Sequence, residues 1–430
     1  MIDVTANPPH AISIIAIGDE LLEGRTSDTN SRHIERALGG HAVQVGLIQV
    51  VPDRDEDINR ALDRTRPGEL VFISGGLGST PDDLTRDVVA RWGGVALVSD
   101  GGVRRHLERR WRKRGLKTSP GAARQSEVPE GLTALVNPVG SAPGLVGPLR
   151  ERTLVLLPGV PQELTGLLPL AVAWLDERGI LPPARPVLLW RTAQIAELAL
   201  VGRLEGVTTA HKDLDWSWWL TDWGVDVRVA GTGTGDPKAV EDQVSERLGH
   251  HVYARSMVSL PEVVQAAMLE AGRTLSVAES CTAGMIGARL TDASGSSGFF
   301  RGGILAYADE VKASQLGVDP AVLAGRGAVS RETVEQMAAG CRERLGTDYA
   351  VAVSGISGPG GGTEDKPVGT TWIAVAGKRT VHAHRYRFPA DRERNRLLTV
   401  AAAVDSVRRL LEFGDDVPPW RDSDTWCRSS

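Results

Sequence analysis

The stretch Leu70–Thr85, LVFISGGLGSTPDDLT, sets an apolar run against a glycine-rich turn and then a pair of aspartates. An apolar run this short, closed by glycines, reads as a buried strand that delivers the chain into a turn. Gly75, Gly76 and Gly78 let backbone N–H groups approach an anion closely, which suits a phosphate, although tight packing produces the same composition. A helix is expected after Pro81, with Asp82 and Asp83 in its first turn, where negative charge suits the helix dipole.

On either side of this turn the pattern repeats. ISIIAI (Ile12–Ile17), AVQVGLIQV (Ala42–Val50) and TLVLLPG (Thr153–Gly159) read as further strands, separated by helices over about Asn30–Leu38, from about Arg54 and from about Pro161. Short apolar runs alternating with amphipathic segments argue for βαβ units and a parallel sheet. Asp19 and Glu20 follow the first strand, Asp28 and Asn30 flank the next helix start, and Asp82 and Asp83 follow the glycines. If the strands are neighbours, these oxygens converge at one sheet edge as a hard ligand set for Mg²⁺ or Mn²⁺ bridging a pyrophosphate. Taken singly, Asp28 and Asp82 serve equally well as helix caps and Asp19 as a turn residue.

The chain has 430 residues, 41% hydrophobic and 24% charged, a balance that makes two or three packed domains rather than a disordered or fibrous protein. With 49 Lys+Arg against 54 Asp+Glu, the net charge of -5 supplies no global basic field, so neither nucleic acid nor a membrane is expected as a partner. Three scattered cysteines form no disulfide framework or metal-ligand spacing, and no export signal or membrane span is legible; a cytoplasmic protein is expected. The first domain is expected to span 1–170. A small α+β linker domain then covers 171–257, with the tryptophan-dense segment DWSWWLTDWG (Asp215–Gly224). Without interleaved cations these tryptophans suit a small core or a subunit contact better than base stacking. His250-His251 reads as surface or core histidine. An α/β domain follows over 258–415, then a loose tail over 416–430.

In that last domain Ser297 lies in GSSGFF, Tyr307 in ILAYADE and Lys312 five residues further on. A serine hydroxyl needs a base, and a lysine supplies one where burial lowers its pKa from about 10.4 by roughly three units. Tyr307 could relay the proton, and backbone N–H groups of SGISGPGGG (Ser354–Gly362) could stabilise an oxyanion or hold a phosphate. Equally, Ser296 or Ser297 could cap a helix and Lys312 lie solvated on one. Cys281, beside Ser280 in AESCTAG, is a rival nucleophile without an adjacent histidine.

Two sets of motifs resemble one family. GDELLEGRTSDTN (Gly18–Asn30), SGGLGSTPDDLT, NPVGSAPG (Asn137–Gly144) and LPGVPQEL (Leu157–Leu164) resemble, in order, the N-terminal domain of CinA, the competence/damage-inducible family, which is similar to molybdopterin-binding domains. AESCTAG, GSSGFFRGGILAYADEVKASQLGV, GAVS (Gly327–Ser330), the Ser354–Gly377 stretch and FPADRERNR resemble its C-terminal domain. The resemblance implies a three-layer molybdopterin-binding-like α/β fold, a small α+β linker domain and a C-terminal α/β amidase domain. For the first it implies metal-dependent hydrolysis of ADP-ribose to AMP and ribose 5-phosphate, or action on molybdopterin or another nucleotide. A divalent ion (magnesium, manganese or cobalt) would sit on Asp19, Glu20, Asp82 and Asp83, and the nucleotide on Asp28, Asn30, Gly75, Gly76, Gly78 and Thr80.

For the second domain the resemblance implies deamidation of nicotinamide mononucleotide without a cofactor, as part of pyridine-nucleotide salvage. It assigns Ser297 as nucleophile, Lys312 as base, Tyr307 as proton partner, and Ser354 and Arg394 as further site residues, Arg394 for the phosphate. Ser280, Thr282, Gly295, Ser296, Gly355, Gly358 and Gly360 would line the substrate. It also suggests a homodimer; a non-catalytic interaction protein is the reading from another class. Ala283 stands at a family glycine, Ser354 at a threonine, Ser357 at an alanine and Ser79 at a proline. If position 283 needs a positive φ, its Cβ strains the turn.

Overall fold

A computed structural model describes residues 11–41, 43, 45–113, 115, 124–183, 185–231 and 235–420. The chain forms two compact units, one ending at Arg185 and the other starting at Pro186. The boundary expected at 170 falls inside the helix Pro161–Glu177, whose Leu164, Leu167, Leu168, Ala171 and Leu175 belong to the core of the first unit. A helix that buries one continuous apolar face cannot be divided between domains.

In the first unit β1 (Ile12–Ile17), β2 (Val45–Val51), β3 (Leu70–Ser74) and the short β4 (Leu97–Ser99) and β5 (Glu127–Pro129) precede β6 (Thr133–Leu135), β7 (Gly144–Leu149) and β8 (Arg152–Leu157). The main sheet has the order β2-β1-β3-β8-β7-β6; β2, β1, β3 and β8 run parallel, and β7 and β6 antiparallel at one side. β1 and β3 are buried on both faces, as their unbroken apolar runs require. The period of two sends Ile15, Val71, Ile73 and Leu156 to one face, under the helices Asp55–Asp63 and Thr85–Gly93. It sends Ile14, Leu70, Phe72 and Val155 to the other, under Asn30–Leu38 and Pro161–Glu177. The three-layer α/β expectation holds.

The second unit opens with β9 (Val187–Thr192), β10 (Leu214–Leu220), β11 (Val225–Gly231) and β12 (Val252–Ala254), an antiparallel sheet ordered β10-β11-β9-β12. Its core gathers Trp190, Val227 and Val229 with the helices Glu197–Ala210 and Glu241–Leu248. Trp216 and Trp218 pack against that core with their rings stacked at 5.8 Å, which bears out the small-core reading of the tryptophans. His251 is buried and His250 half exposed against Glu412, at 2.7 Å.

The remaining sheet comprises β13 (Leu275–Glu279), β14 (Phe300–Leu305), β15 (Tyr349–Gly355), β16 (Thr370–Ala376) and β17 (Val381–Arg387), ordered β14-β13-β15-β16-β17. β14, β13 and β15 are parallel, and β16 and β17 antiparallel. Valine, leucine and isoleucine of one face meet the helices Leu260–Glu270 and Arg392–Phe413. Alanines 278, 350, 352, 374 and 376 line the other, where small side chains let the helix Arg331–Leu345 approach closely. The tail is not loose where it is described: Asp416 pairs with Arg379 at 2.7 Å and the Trp420 ring stacks on His384 at 5.1 Å. Residues 421–430 lie outside the described residues. No helix among the described residues is long and apolar enough to cross a membrane.

Candidate functional site

In an α/β sheet the loops leaving the carboxyl ends of parallel strands form the ligand crevice. In the second unit those loops are Ser280–Gly284 after β13, Ala306–Ala308 after β14 and Ile356–Gly362 after β15. Two backbone hydrogen bonds sew them together: Ser280 N donates to Val353 O at 3.2 Å and Ala306 N to Glu279 O at 2.8 Å. Ser280, Tyr307 and Ser354 therefore meet at one edge.

Glu279 shapes the first loop. Fully buried, its carboxylate accepts from Thr282 Oγ1 (2.6 Å), Gly284 N (2.9 Å), Ile286 N (3.2 Å) and Gly287 N (2.9 Å), capping the following helix from the strand end. Ala283 has φ 50°, so the strain expected from its Cβ is present. Thr282, expected on the substrate, is buried with its hydroxyl committed to Glu279. Ser280 is buried, yet its hydroxyl has no hydrogen-bond partner among the described residues. Burial pushes the Cys281 thiol up to about 11, only partly offset by the Ser357 hydroxyl, so the rival nucleophile is an inert thiol at neutral pH.

Lys312 is not a solvated helix lysine. It is 1% exposed, and its Nζ donates to the Tyr307 carbonyl at 2.9 Å and to Asp309 Oδ1 at 3.1 Å. The Tyr307 ring is 63% exposed. Ser354 is buried and its hydroxyl donates to Ala328 O at 2.7 Å, tying β15 to the GAVS segment. Gly355 lacks room for a Cβ, which would lie 2.5 Å from Thr371 Oγ1; Gly358 has φ 91°, whereas Gly360 faces open space.

Ser297 is a correction. It precedes the first residue of β14, while Tyr307 and Lys312 follow its last, so the six-residue strand, about 17 Å long, separates them. Gly295 and Ser296 share that amino edge, where Gln265 Nε2 donates to Ser294 O at 2.8 Å. Within one chain Ser280 and Ser354 share the edge with Tyr307 and Lys312, and the Ser354 hydroxyl is committed to Ala328 O. The motif resemblance assigned Ser297 to the nucleophile's place, but a parallel strand carries its two ends apart.

Arg394 is also displaced in role. Arg392 Nη1 donates to Gly358 O at 2.7 Å, and Arg396 donates to Cys281 O at 3.1 Å and Thr282 O at 2.9 Å. Arg392 and Arg396 are one turn apart on a helix and face the loops, whereas Arg394 points about 200° away from Arg392 around the axis. That i, i+4 spacing in DRERNR was a readable signal for both missed residues.

In the first unit the corresponding edge carries Asp19, Glu20, the glycine turn and Asp53, which the sequence reading missed. Asp53 Oδ2 accepts from Asp19 N at 3.1 Å. Burial raises the Asp53 carboxyl above its ordinary range, and the charges of Asp19, Glu20 and Asp82 add to the rise against that hydrogen bond. Asp82 and Asp83 precede the helix, which starts at Thr85, rather than lying in its first turn. Asp83 accepts from Gly78 N (2.7 Å), Thr80 N (2.8 Å) and Thr80 Oγ1 (2.5 Å), so it braces the loop. Gly75 and Gly76 are required by packing: a Cβ would lie 2.3 Å from Ile17 O and 2.2 Å from Thr85 Oγ1. Asp28 accepts from Ser31 N at 3.0 Å as a helix cap. Asn30 Nδ2 bridges Ser74 Oγ (2.8 Å) and Gly159 O (2.7 Å), leaving its buried Oδ1 without a partner.

Among the described residues no group of three or more His, Cys, Asp or Glu side chains is disposed to hold a metal. Asp19, Glu20 and Asp82 nevertheless lie close enough to Asp53 for their charges to raise its carboxyl, and a Mg²⁺-type ion would need only one or two such carboxylates beside waters and substrate phosphates.

The chain thus pairs a three-layer α/β unit with a second unit whose α/β sheet holds a serine, a tyrosine and a buried lysine at its carboxyl edge. Residues 257–411 match the CinA C-terminal domain, and 13–176 the probable molybdopterin binding domain. A CinA-like protein of Gemmatimonas aurantiaca is 38% identical over 95% of this chain and 99% of its own length. A putative competence-damage inducible protein of Halothermothrix orenii is 35% identical over 93% and 98%. The crystal structure of a competence/damage inducible protein from Agrobacterium tumefaciens covers 37% of this chain and 99% of its own, at 36% identity and a TM-score of 0.34. This chain belongs to the CinA family.

Proposed function

We propose that the second unit is an amidohydrolase that converts nicotinamide mononucleotide and water to nicotinic acid mononucleotide and ammonia. The observation that carries this reading is the meeting of the free Ser280 hydroxyl with Tyr307 and the buried Lys312 at one sheet edge. Ser280 attacks the carboxamide carbon while Lys312 takes its proton with Tyr307 relaying. The same proton passes to the leaving nitrogen, so that the C–N bond breaks and ammonia departs from an acyl-serine ester. Water then hydrolyses that ester to the acid and restores the Ser280 hydroxyl. Backbone N–H groups after β15 hold the oxyanion or the phosphate. The test is ammonia release from nicotinamide mononucleotide without added metal, by wild type, Ser280→Ala and Ser297→Ala. Turnover lost only in Ser280→Ala supports the assignment. No release by wild type favours the non-catalytic interaction protein.

In the same reading the first unit hydrolyses ADP-ribose to AMP and ribose 5-phosphate, with Asp19, Glu20, Asp53 and Asp82 as the carboxylates nearest a divalent ion. Such an ion would neutralise pyrophosphate charge. The supporting observation is the crowding of these acids about Asp53. A rate unchanged by chelation would overturn it, and turnover of molybdopterin in place of ADP-ribose would reassign the substrate.

A further inference from the structure

The helix Gly101–Lys113 carries Arg104, Arg105, Arg109, Arg110, Arg112 and Lys113 against a single carboxylate, Glu108, in a chain whose net charge is -5. Its inner face is accounted for. Val103 and Leu107 are buried, Arg110 donates to Val139 O, and the His106 ring lies 3.3 Å from Gly140 O. Glu108 is taken by Arg104 at 3.2 Å. At about 100° per residue, Arg105, Arg109 and Arg112 fall within about 60° of one another, opposite Val103 and Leu107. All three are exposed, and none has a hydrogen-bond or ion-pair partner among the described residues.

Such a stripe is costly by itself. Arg105 and Arg109, Arg109 and Arg112, and Arg109 and Lys113 are like charges at i, i+3 or i, i+4, each pair destabilising an isolated helix by about 0.2–0.5 kcal/mol. The acids elsewhere in the chain do not cancel this field, since charges beyond about 8–10 Å are screened at physiological salt. Guanidinium groups present planar donor forks that match phosphate oxygens. A membrane surface fits less well: an interfacial helix inserts an apolar face, and here that face is already buried in the domain.

We infer that the face formed by Arg105, Arg109 and Arg112 binds the phosphate backbone of nucleic acid, without base specificity. It neither uses nor requires the amidase and ADP-ribose readings above. The whole-chain charge, which pointed away from nucleic acid, averages over a surface on which this patch is local.

The test is fluorescence anisotropy of a short labelled oligothymidylate titrated with the full chain across a salt series. Wild type is expected to bind at low salt, and R105E/R109E/R112E to bind at least about tenfold more weakly. The salt slope should fall by about 2, for three phosphates at roughly 0.7 each. If charge reversal disturbs folding by circular dichroism, R105Q/R109Q/R112Q serves in its place, with the same expected direction. The inference is overturned if wild type fails to bind, if the folded triple variant binds as wild type does, or if phosphatidylserine vesicles capture wild type while the oligonucleotide does not.

Discussion

Thr282 Oγ1 donates to Glu279 Oε2 across 2.6 Å inside the core, and three backbone N–H groups share the same carboxylate. The loop bearing Ser280 is held by a buried acid one residue before the serine. Glu279→Gln turns an amide N–H toward donors that need an acceptor, so it should cost about 2–4 kcal/mol. Urea unfolding reads this as a lower midpoint at unchanged slope, and an unchanged midpoint would dismiss the brace.

Ser280→Ala should lower deamidase turnover by about a thousandfold or more, the scale of losing a nucleophile. Ser297→Ala should leave turnover within about threefold of wild type, a margin of under 1 kcal/mol in the barrier. Steady-state ammonia release compares the two variants directly.

Ala283 holds φ 50°, a left-handed conformation that a Cβ disfavours by about 1–2 kcal/mol. Ala283→Gly should therefore raise the melting temperature, for a net gain of about 1 kcal/mol after glycine's entropic cost. A fall in melting temperature would show that the alanine methyl contributes more than the strain removes.

With its thiol pushed up to about 11 by burial, Cys281 should resist iodoacetamide in the native protein and react after unfolding. Arg396→Ala frees the Cys281 and Thr282 carbonyls and should speed native-state labelling at Cys281, read by peptide mass spectrometry. Equal labelling rates in both proteins would remove Arg396 from loop positioning.

His251 is buried, and desolvation, then the nearby Arg409 charge, lowers it from 6.5 to about 4. The folded value lies below the unfolded one, so the unfolded chain takes the proton first. Stability is full above about pH 6.5 and falls as pH drops toward 4, by roughly 3 kcal/mol from this residue alone. Melting temperatures across that window should fall less steeply in His251→Gln than in wild type.

The sequence by itself determined the layers. Runs such as ISIIAI and LVFIS have no polar face, so they need cover on both sides, and that forces helices onto each face of a parallel sheet. It also determined the chemistry present at the sheet ends, because glycines, serines and acids punctuate the apolar runs there. Only the tertiary structure decided which of them meet. Ser280 lies 32 positions from Lys312 and Ser297 only 15, yet the parallel run of β14 carries Ser297 to the far edge while β13 brings Ser280 to the near one. Asp53 was likewise invisible in sequence, since its role depends on β2 lying beside β1. Adjacency of strand ends is a property of sheet order, set by long-range pairing, and no local pattern of residues encodes it.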